Sequence, residues 1–128
     1  MRKYAILREA VRMDNDDSDS DLLVKVMIHT IDNDGTFLYL FTTLDEYCGA
    51  SNDYWFENLE DAEECALDYG VRPEDWILID DPLPHCQHDL IHPIRIKGRE
   101  TGIPMWGETE IFDGDKWVDF DYEKLKAK

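Results

Sequence analysis

The chain has 128 residues and a mass of 15.1 kDa. At roughly 100 to 200 residues per domain, it is predicted to form one domain over 1–128. It carries 13 Lys and Arg against 30 Asp and Glu, for a net charge of −17 and an isoelectric point near 4.3. This balance argues against direct nucleic-acid binding, which needs clustered basic side chains, and against an anionic membrane surface.

Hydrophobic residues make up 43% of the chain, so we expect a folded protein despite its charge. The three cysteines, Cys48, Cys65 and Cys86, are odd in number and widely spaced, which argues against a disulfide framework and favours a reducing compartment. Arg8 interrupts the first apolar run, and no stretch is long and apolar enough to span a membrane. We therefore expect a cytoplasmic protein.

The acidic residues are concentrated in the middle of the chain. Residues 14–81 contain 20 acids and only two bases, Lys25 and Arg72, whereas residues 1–13 carry a net charge of +3 and residues 82–128 a net charge of −2. If the middle segment folds as a unit, its carboxylates crowd one contiguous surface. Their repulsion costs stability unless the field serves solubility or a basic partner.

In chain order, residues 3–13 and 22–31 are predicted to be strands, joined as a hairpin by the polar segment 14–21. In the second strand, Val26 and its alternate neighbours lie on one face, and Lys25 lies on the other.

The Asn-Asp-Gly segment 33–35 supplies the positive-φ residues of a tight turn, after which residues 36–44 are predicted to form a third antiparallel strand. A loop is predicted over residues 45–54.

A helix of about three turns is predicted to start after Asn58, whose side chain can accept a hydrogen bond from a first-turn amide. Acidic residues follow at once, where the helix dipole favours negative charge. Apolar residues recur at helical spacing up to Tyr69, and Gly70 is predicted to be the C′ residue.

The second half reads as short β segments. The predicted elements are a turn at 72–75, strands at 76–79 and 91–97, a turn at 98–104, a hairpin of 108–112 and 116–120 around Asp113-Gly114-Asp115, and a frayed tail at 121–128. No repeat of 20 to 50 residues is visible, which excludes solenoids and propellers. We therefore predict an α+β fold, a mainly antiparallel sheet with one principal helix on one face.

Histidines and a cysteine cluster in one Pro-bounded segment, at His85, Cys86, His88 and His92. Imidazole and thiolate are good zinc ligands, and Cys86 beside a histidine could act as a nucleophile. However, adjacent ligands point apart in most backbone conformations, and no second ligand pair with zinc-finger spacing follows. We expect an ordinary loop, with no metal and no cofactor.

Three further features of the sequence each have a structural and a functional interpretation. The Asp-rich segment 14–21 resembles a calcium loop but lacks its glycine and its bidentate glutamate, so a solvated loop is expected. Most aromatic residues should be buried, although Trp55 and Trp106 lie beside predicted loops and could anchor a partner. Arg95, Lys97 and Arg99 alternate along a predicted strand and share one face, where we expect them to offset carboxylates or protect an edge strand; the functional alternative is a small anion site.

The function favoured by the sequence is a non-enzymatic binding protein whose acidic surface docks onto a basic protein, in the manner of an immunity protein that plugs a nuclease or of a nucleic-acid mimic. No familiar catalytic signature is present. The predicted partner-binding residues are Asp14, Asp16, Asp17, Asp19, Asp21, Trp55, Glu60, Asp61 and Glu64.

Two alternatives remain. The first is a small enzyme or metal-binding protein centred on the His85 to His92 segment, together with Asp80, Asp81 and Arg95. The second is that the negative charge only maintains solubility, in which case no partner need exist.

Overall fold

A computed structural model describes residues 1–12, 22–31 and 34–121. The predicted connector at 14–21 lies outside the described residues, as does the tail from 122. The chain divides into two compact units, Met1–Asp81 and Pro82–Lys128, which are considered separately below. The interpretation of the whole chain as one domain stays a prediction.

The predicted α+β class is confirmed. Over the described residues, eight strands form two antiparallel sheets, and one α-helix packs against the larger sheet. The first unit contains a five-stranded sheet of order β4-β3-β2-β1-β5. Its elements are β1 (Arg2–Arg12), β2 (Leu22–Ile31), β3 (Gly35–Phe41), β4 (Asn52–Phe56), α1 (Leu59–Leu67) and β5 (Ile77–Ile79).

The strand β4 corrects the prediction of a loop over residues 45–54. It pairs antiparallel with β3 along its whole length, from Asn52 opposite Leu40 to Phe56 opposite Thr36. Four of its five residues are exposed, because it forms an edge of the sheet. A short strand exposed on both faces lacks the polar and apolar alternation by which strands are recognised in a sequence.

The hydrophobic core of the first unit lies between α1 and one face of the sheet. Fully buried strand residues on this face pack with Ala62 and Ala66 of the helix. These alanines let the helix approach the sheet closely, since they carry only a methyl group. The strand residues are Ala5, Val26, Ile28, Leu38 and Leu40.

The opposite face of β2 is also buried. Lys25 and His29 lie on it, as the alternation predicts, with only 3% and 5% of their surface exposed. The Lys25 ammonium lies 4.3 Å from the centroid of the Phe41 ring. Alternation therefore separates the faces correctly but does not predict that both are buried.

The caps of α1 agree with the prediction. The Asn58 side chain accepts a 2.8 Å hydrogen bond from the Asp61 amide. At the other end, the Val71 amide donates to Ala66 and the Gly70 amide to Leu67, at 3.1 and 2.9 Å, with Gly70 at φ +87°. This is the Schellman arrangement with Gly70 at C′. The regular helix is shorter than predicted and ends at Leu67.

The connection from α1 to β5 is fixed to β1 by an ion pair. Arg8 of β1 donates to both carboxylate oxygens of Asp75, at 2.6 and 3.2 Å, and the Arg72 amide donates to the same carboxylate at 2.9 Å. These hydrogen bonds hold the pKa of Asp75 below its ordinary value, with the bond from Arg8 as the largest cause.

The second unit contains a three-stranded sheet of β6 (Ile94–Ile96), β7 (Thr109–Phe112) and β8 (Trp117–Phe120), in that order. Arg95 donates to Glu110 at 2.7 Å and lies 3.7 Å from the centroid of Trp117. Lys97 pairs with Asp119 at 2.8 Å. These two cations offset carboxylates, as predicted. Gly114, at φ +98°, lies in the predicted turn between β7 and β8.

The Asp75 ion pair predicts a defined pH dependence of stability. A carboxylate whose pKa is lower in the folded protein adds stability above its unfolded pKa of about 3.9, and this stability is lost as the pH falls through the folded value. Asp75→Asn should therefore lower the urea midpoint at pH 7, and its difference from the wild type should shrink towards pH 3.

The neighbouring exposed Glu74 provides the control, because it makes no hydrogen bond to Arg8 in the described structure. Glu74→Gln should change the midpoint less at pH 7. A deficit of Asp75→Asn that is absent, or that stays constant down to pH 3, would contradict this role of Asp75.

Candidate functional site

The cations of the first unit are distributed very unevenly. The sequence contains no Lys or Arg between Lys25 and Arg72. As a result β3, β4 and α1 carry no cation, whereas β1 carries Arg2, Lys3, Arg8 and Arg12. In the sheet order, β1 is separated from β4 by β2 and β3.

Three carboxylates of the first unit form ion pairs with the N-terminus or with cations of β1. The N-terminal ammonium pairs with Asp81 and Lys3 with Glu63, both at 2.8 Å, and Arg8 pairs with Asp75 at 2.6 Å. Bonding to the ammonium group holds the pKa of Asp81 below its ordinary value. The N-terminal ammonium, Lys3 and Arg8 therefore pair with carboxylates next to β5 and on the middle of α1.

Exposed carboxylates without such partners lie just before β3, on β4 and around the first turns of α1. We call this group the acidic edge, and it comprises Asp34, Asp53, Glu57, Glu60, Asp61 and Glu64 together with Tyr54 and Trp55. Among the described residues, none of these six acids makes a salt bridge.

The helix part of the acidic edge has regular spacing. Glu60 and Glu64 are four residues apart, and Asp61 and Glu64 are three apart, so these three carboxylates are neighbours on one side of the helix. Glu57 precedes the N-cap residue Asn58. The helix dipole favours Glu60 and Asp61 in the first turn. It gives no such support to Glu64.

Aromatic side chains lie among these carboxylates. Tyr54 and Trp55 of β4 are 45% and 54% exposed. The Trp55 indole donates from Nε1 to the Asp34 carbonyl at 2.8 Å, across the β2–β3 turn. Gly35, at φ +91°, makes room for the ring, because a Cβ there would lie only 2.6 Å from Cε2 and Cζ2 of Trp55.

An open groove of about 720 Å³ lies where the β2–β3 turn, the end of β4 and the start of α1 meet. Among the described residues its lining contains the carboxylates of Asp34 and Glu57 and no cation. The described lining residues are Thr30, Ile31, Asp34, Gly35, Thr36, Trp55, Glu57, Asn58 and Leu59.

Part of the predicted partner-binding set lies in the described residues, where all of it is exposed. Trp55 lies on β4, and Glu60, Asp61 and Glu64 lie on α1. The other predicted members, Asp14, Asp16, Asp17, Asp19 and Asp21, lie outside the described residues.

Sequence reasoning missed Asp34, Asp53, Tyr54 and Glu57. The signal that could have found them is the absence of cations between residues 25 and 72, since it marks every acid in that interval as a candidate.

The His and Cys segment is not gathered into a ligand set. Cys86 is buried, His92 is half-buried, and His85 and His88 are exposed, with His85 at φ +68°. Over the described ranges, no three His, Cys, Asp or Glu side chains are placed together so that they could hold a metal ion. The other polar groups of the enzyme alternative have structural partners: Asp81 binds the N-terminal ammonium, and Arg95 binds Glu110.

Comparison with models of protein families, with curated proteins and with solved structures finds no match to this chain. In the part of the chain that the structure describes, no helix is long and apolar enough to cross a membrane. The site therefore has to be interpreted from its own chemistry.

The contact between Gly35 and Trp55 predicts the effect of a single methyl group. Gly35→Ala should destabilise the protein by about 1 to 2 kcal/mol from backbone strain at positive φ. It should also displace the indole of Trp55, because the new methyl group would overlap the ring. Urea unfolding measures the first effect, and the NMR signal of the Trp55 indole N–H measures the second.

Gly70→Ala is the matched control, since Gly70 has a similar φ of +87° but no atom within 4 Å of its Cβ position. It should be destabilised comparably and leave the Trp55 signal unchanged. An unchanged Trp55 signal in Gly35→Ala, or an equal change in both variants, would contradict the predicted contact.

Proposed function

We propose that this protein is a non-enzymatic binding protein that docks its acidic edge onto a basic surface of another protein. The observation that supports the proposal most is the absence of Lys and Arg between Lys25 and Arg72, an interval that carries the six exposed carboxylates of the acidic edge and two exposed aromatic side chains. A cationic surface facing this edge would relieve the repulsion among the carboxylates.

The two kinds of side chain have different roles in such docking. Carboxylates act at long range: a field of this kind raises association rates by 10- to 1,000-fold, and added salt screens it. Each exposed ion pair adds only about 0.2 to 1 kcal/mol to affinity. Aromatic anchors that become buried at an interface contribute more, and Tyr54 and Trp55 are available for this role.

The arrangement favours docking over a role in solubility alone. A charge that serves only solubility acts equally well when it is dispersed among cations. Here Lys3 and Arg8 neutralise acids near β1, while the acids beside Trp55 stay uncompensated. Large exposed aromatic groups also work against solubility, since they expose apolar area to water.

The specific form that we favour is an immunity-type protein that blocks the basic active site of a nuclease; a nucleic-acid mimic bound to a DNA-binding protein is a close variant. In both forms the partner's basic surface ordinarily faces phosphates, so DNA should compete with this protein for the partner. We also propose a cytoplasmic location, supported by the odd number and wide spacing of the cysteines.

The proposal is tested by capture from an extract of the native cell with two variants of equal charge. The acidic-edge variant carries Glu57→Gln, Glu60→Gln, Asp61→Asn and Glu64→Gln. The control variant carries Glu9→Gln, Glu74→Gln, Asp80→Asn and Asp115→Asn, four exposed acids outside the acidic edge. Both variants lose four negative charges, so they differ only in where the charge is removed.

We expect the wild type and the control variant to capture the same basic protein, and the acidic-edge variant to capture at least tenfold less. DNA should displace the captured protein, and so should about 0.5 M salt. Circular dichroism checks that α1 remains folded in both variants. Equal capture by the two variants, or capture that survives high salt unchanged, would overturn the proposal.

A further inference from the structure

The groove beside Trp55 offers little to an anion. The indole N–H already donates to the Asp34 carbonyl, and the Thr30 and Thr36 hydroxyls lie 3.0 Å apart and bond to each other. The Asn58 side-chain oxygen accepts from the Asp61 amide. An anion in the groove would also face the carboxylates of Asp34 and Glu57.

The start of α1 attracts negative charge to the groove. A helix N-terminus acts as roughly half a positive charge. Four described carboxylates oppose this positive charge: Asp34 and Glu57 in the lining, and Glu60 and Asp61 in the first turn. The net field in the groove is therefore negative, and a cation is favoured.

The walls of the groove are suited to a flat cation on an apolar stem. Cε2 and Cζ2 of the Trp55 ring lie 2.6 Å from the Cβ position of Gly35, so this edge of the indole packs directly against Gly35, and its N–H bonds to the Asp34 carbonyl. Ile31 and Leu59 add apolar surface to the lining. An aromatic ring and two carboxylates thus border one space.

We infer that this groove receives an arginine side chain of the basic partner, with the guanidinium against Trp55 and in ion pairs with Asp34 and Glu57. Arginine is favoured over lysine because its guanidinium is planar, weakly hydrated, stacks on indole and pairs with a carboxylate through two hydrogen bonds. The inference rests on the proposed function, since it assigns one contact of that docking to a particular pocket.

The test uses N-acetyl-arginine amide as the probe of the isolated protein, followed by NMR of ¹⁵N-labelled wild type. Saturable shifts are expected for the Trp55 indole N–H and for the amides of Gly35 and Leu59. N-acetyl-citrulline amide, which has nearly the same shape without the charge, should give no saturable shift. The corresponding lysine probe should bind at least twofold more weakly.

Variants test each wall of the groove. Asp34→Asn and Glu57→Gln should each weaken binding of the arginine probe about two- to fivefold. Asp34→Asn keeps the bond from the indole, because the acceptor is the backbone carbonyl. Trp55→Leu should weaken binding by a similar factor, whereas Trp55→Phe should retain most of it. Glu74→Gln, which lies outside the groove, should leave the affinity unchanged.

Several outcomes would overturn the inference: equal shifts with the citrulline probe, shifts located away from Trp55, no saturable shift, or affinity that is insensitive to Asp34→Asn and Glu57→Gln. Saturable binding of acetate or phosphate at Trp55 would overturn it as well. Its failure is distinguishable from failure of the proposed function, because capture of a basic protein that depends on the acidic edge can persist without an arginine in this groove.

Discussion

Repulsion among uncompensated carboxylates is the main physical constraint on the surface of this protein. No cation occurs between Lys25 and Arg72, and the fold places β4 at an edge of the sheet next to the start of α1. Both of these contacting elements therefore carry carboxylates without cations. Like charges four residues apart on a helix cost about 0.2 to 0.5 kcal/mol per pair, whereas burial of one large aliphatic side chain contributes about 1.5 to 3 kcal/mol.

The core can therefore tolerate this field. Val26, Ile28, Leu38 and Leu40 are completely buried on the helix side of the sheet. Such a core outweighs several repulsive pairs, so the acidic edge persists without cations of its own. For the same reason, the first unit can fold without ion pairs at β4 like those near β1. This cost to the free protein is the physical ground on which we propose an external basic partner.

One local feature links the sheet to the groove. Gly35 takes the positive φ that the turn between β2 and β3 requires, and because it has no Cβ, the Trp55 ring can pack directly against it. The indole N–H then bonds to the Asp34 carbonyl of that turn. The turn thereby determines the orientation of the aromatic wall, and its acidic residue Asp34 supplies one of the two carboxylates of the groove.

Local signals allowed much of the fold to be predicted from the sequence. The boundaries of β2, the turn at Gly35, the Asn58 cap and the hairpin around Gly114 each depend on a few adjacent residues. The strand β4 was not predicted because it forms by pairing with β3, and the pattern of its own residues does not indicate a strand.

The candidate site was predictable only in part. Charge counting indicated an acidic surface, and Trp55 was a candidate anchor. The groove depends on the hydrogen bond from Trp55 to Asp34, two residues that are 21 positions apart in the sequence. A contact at that separation follows from the register of β3 and β4, and periodicity within either strand carries no information about it.

The most direct test of the central claim is the free energy of urea unfolding between about 0.02 and 0.5 M NaCl, a range over which charge interactions on the surface become screened. If repulsion at the acidic edge is uncompensated, the wild type and the control variant should gain stability as salt is added, and the acidic-edge variant should gain distinctly less. The claim is contradicted if the wild type gains nothing with salt, or if all three proteins gain equally.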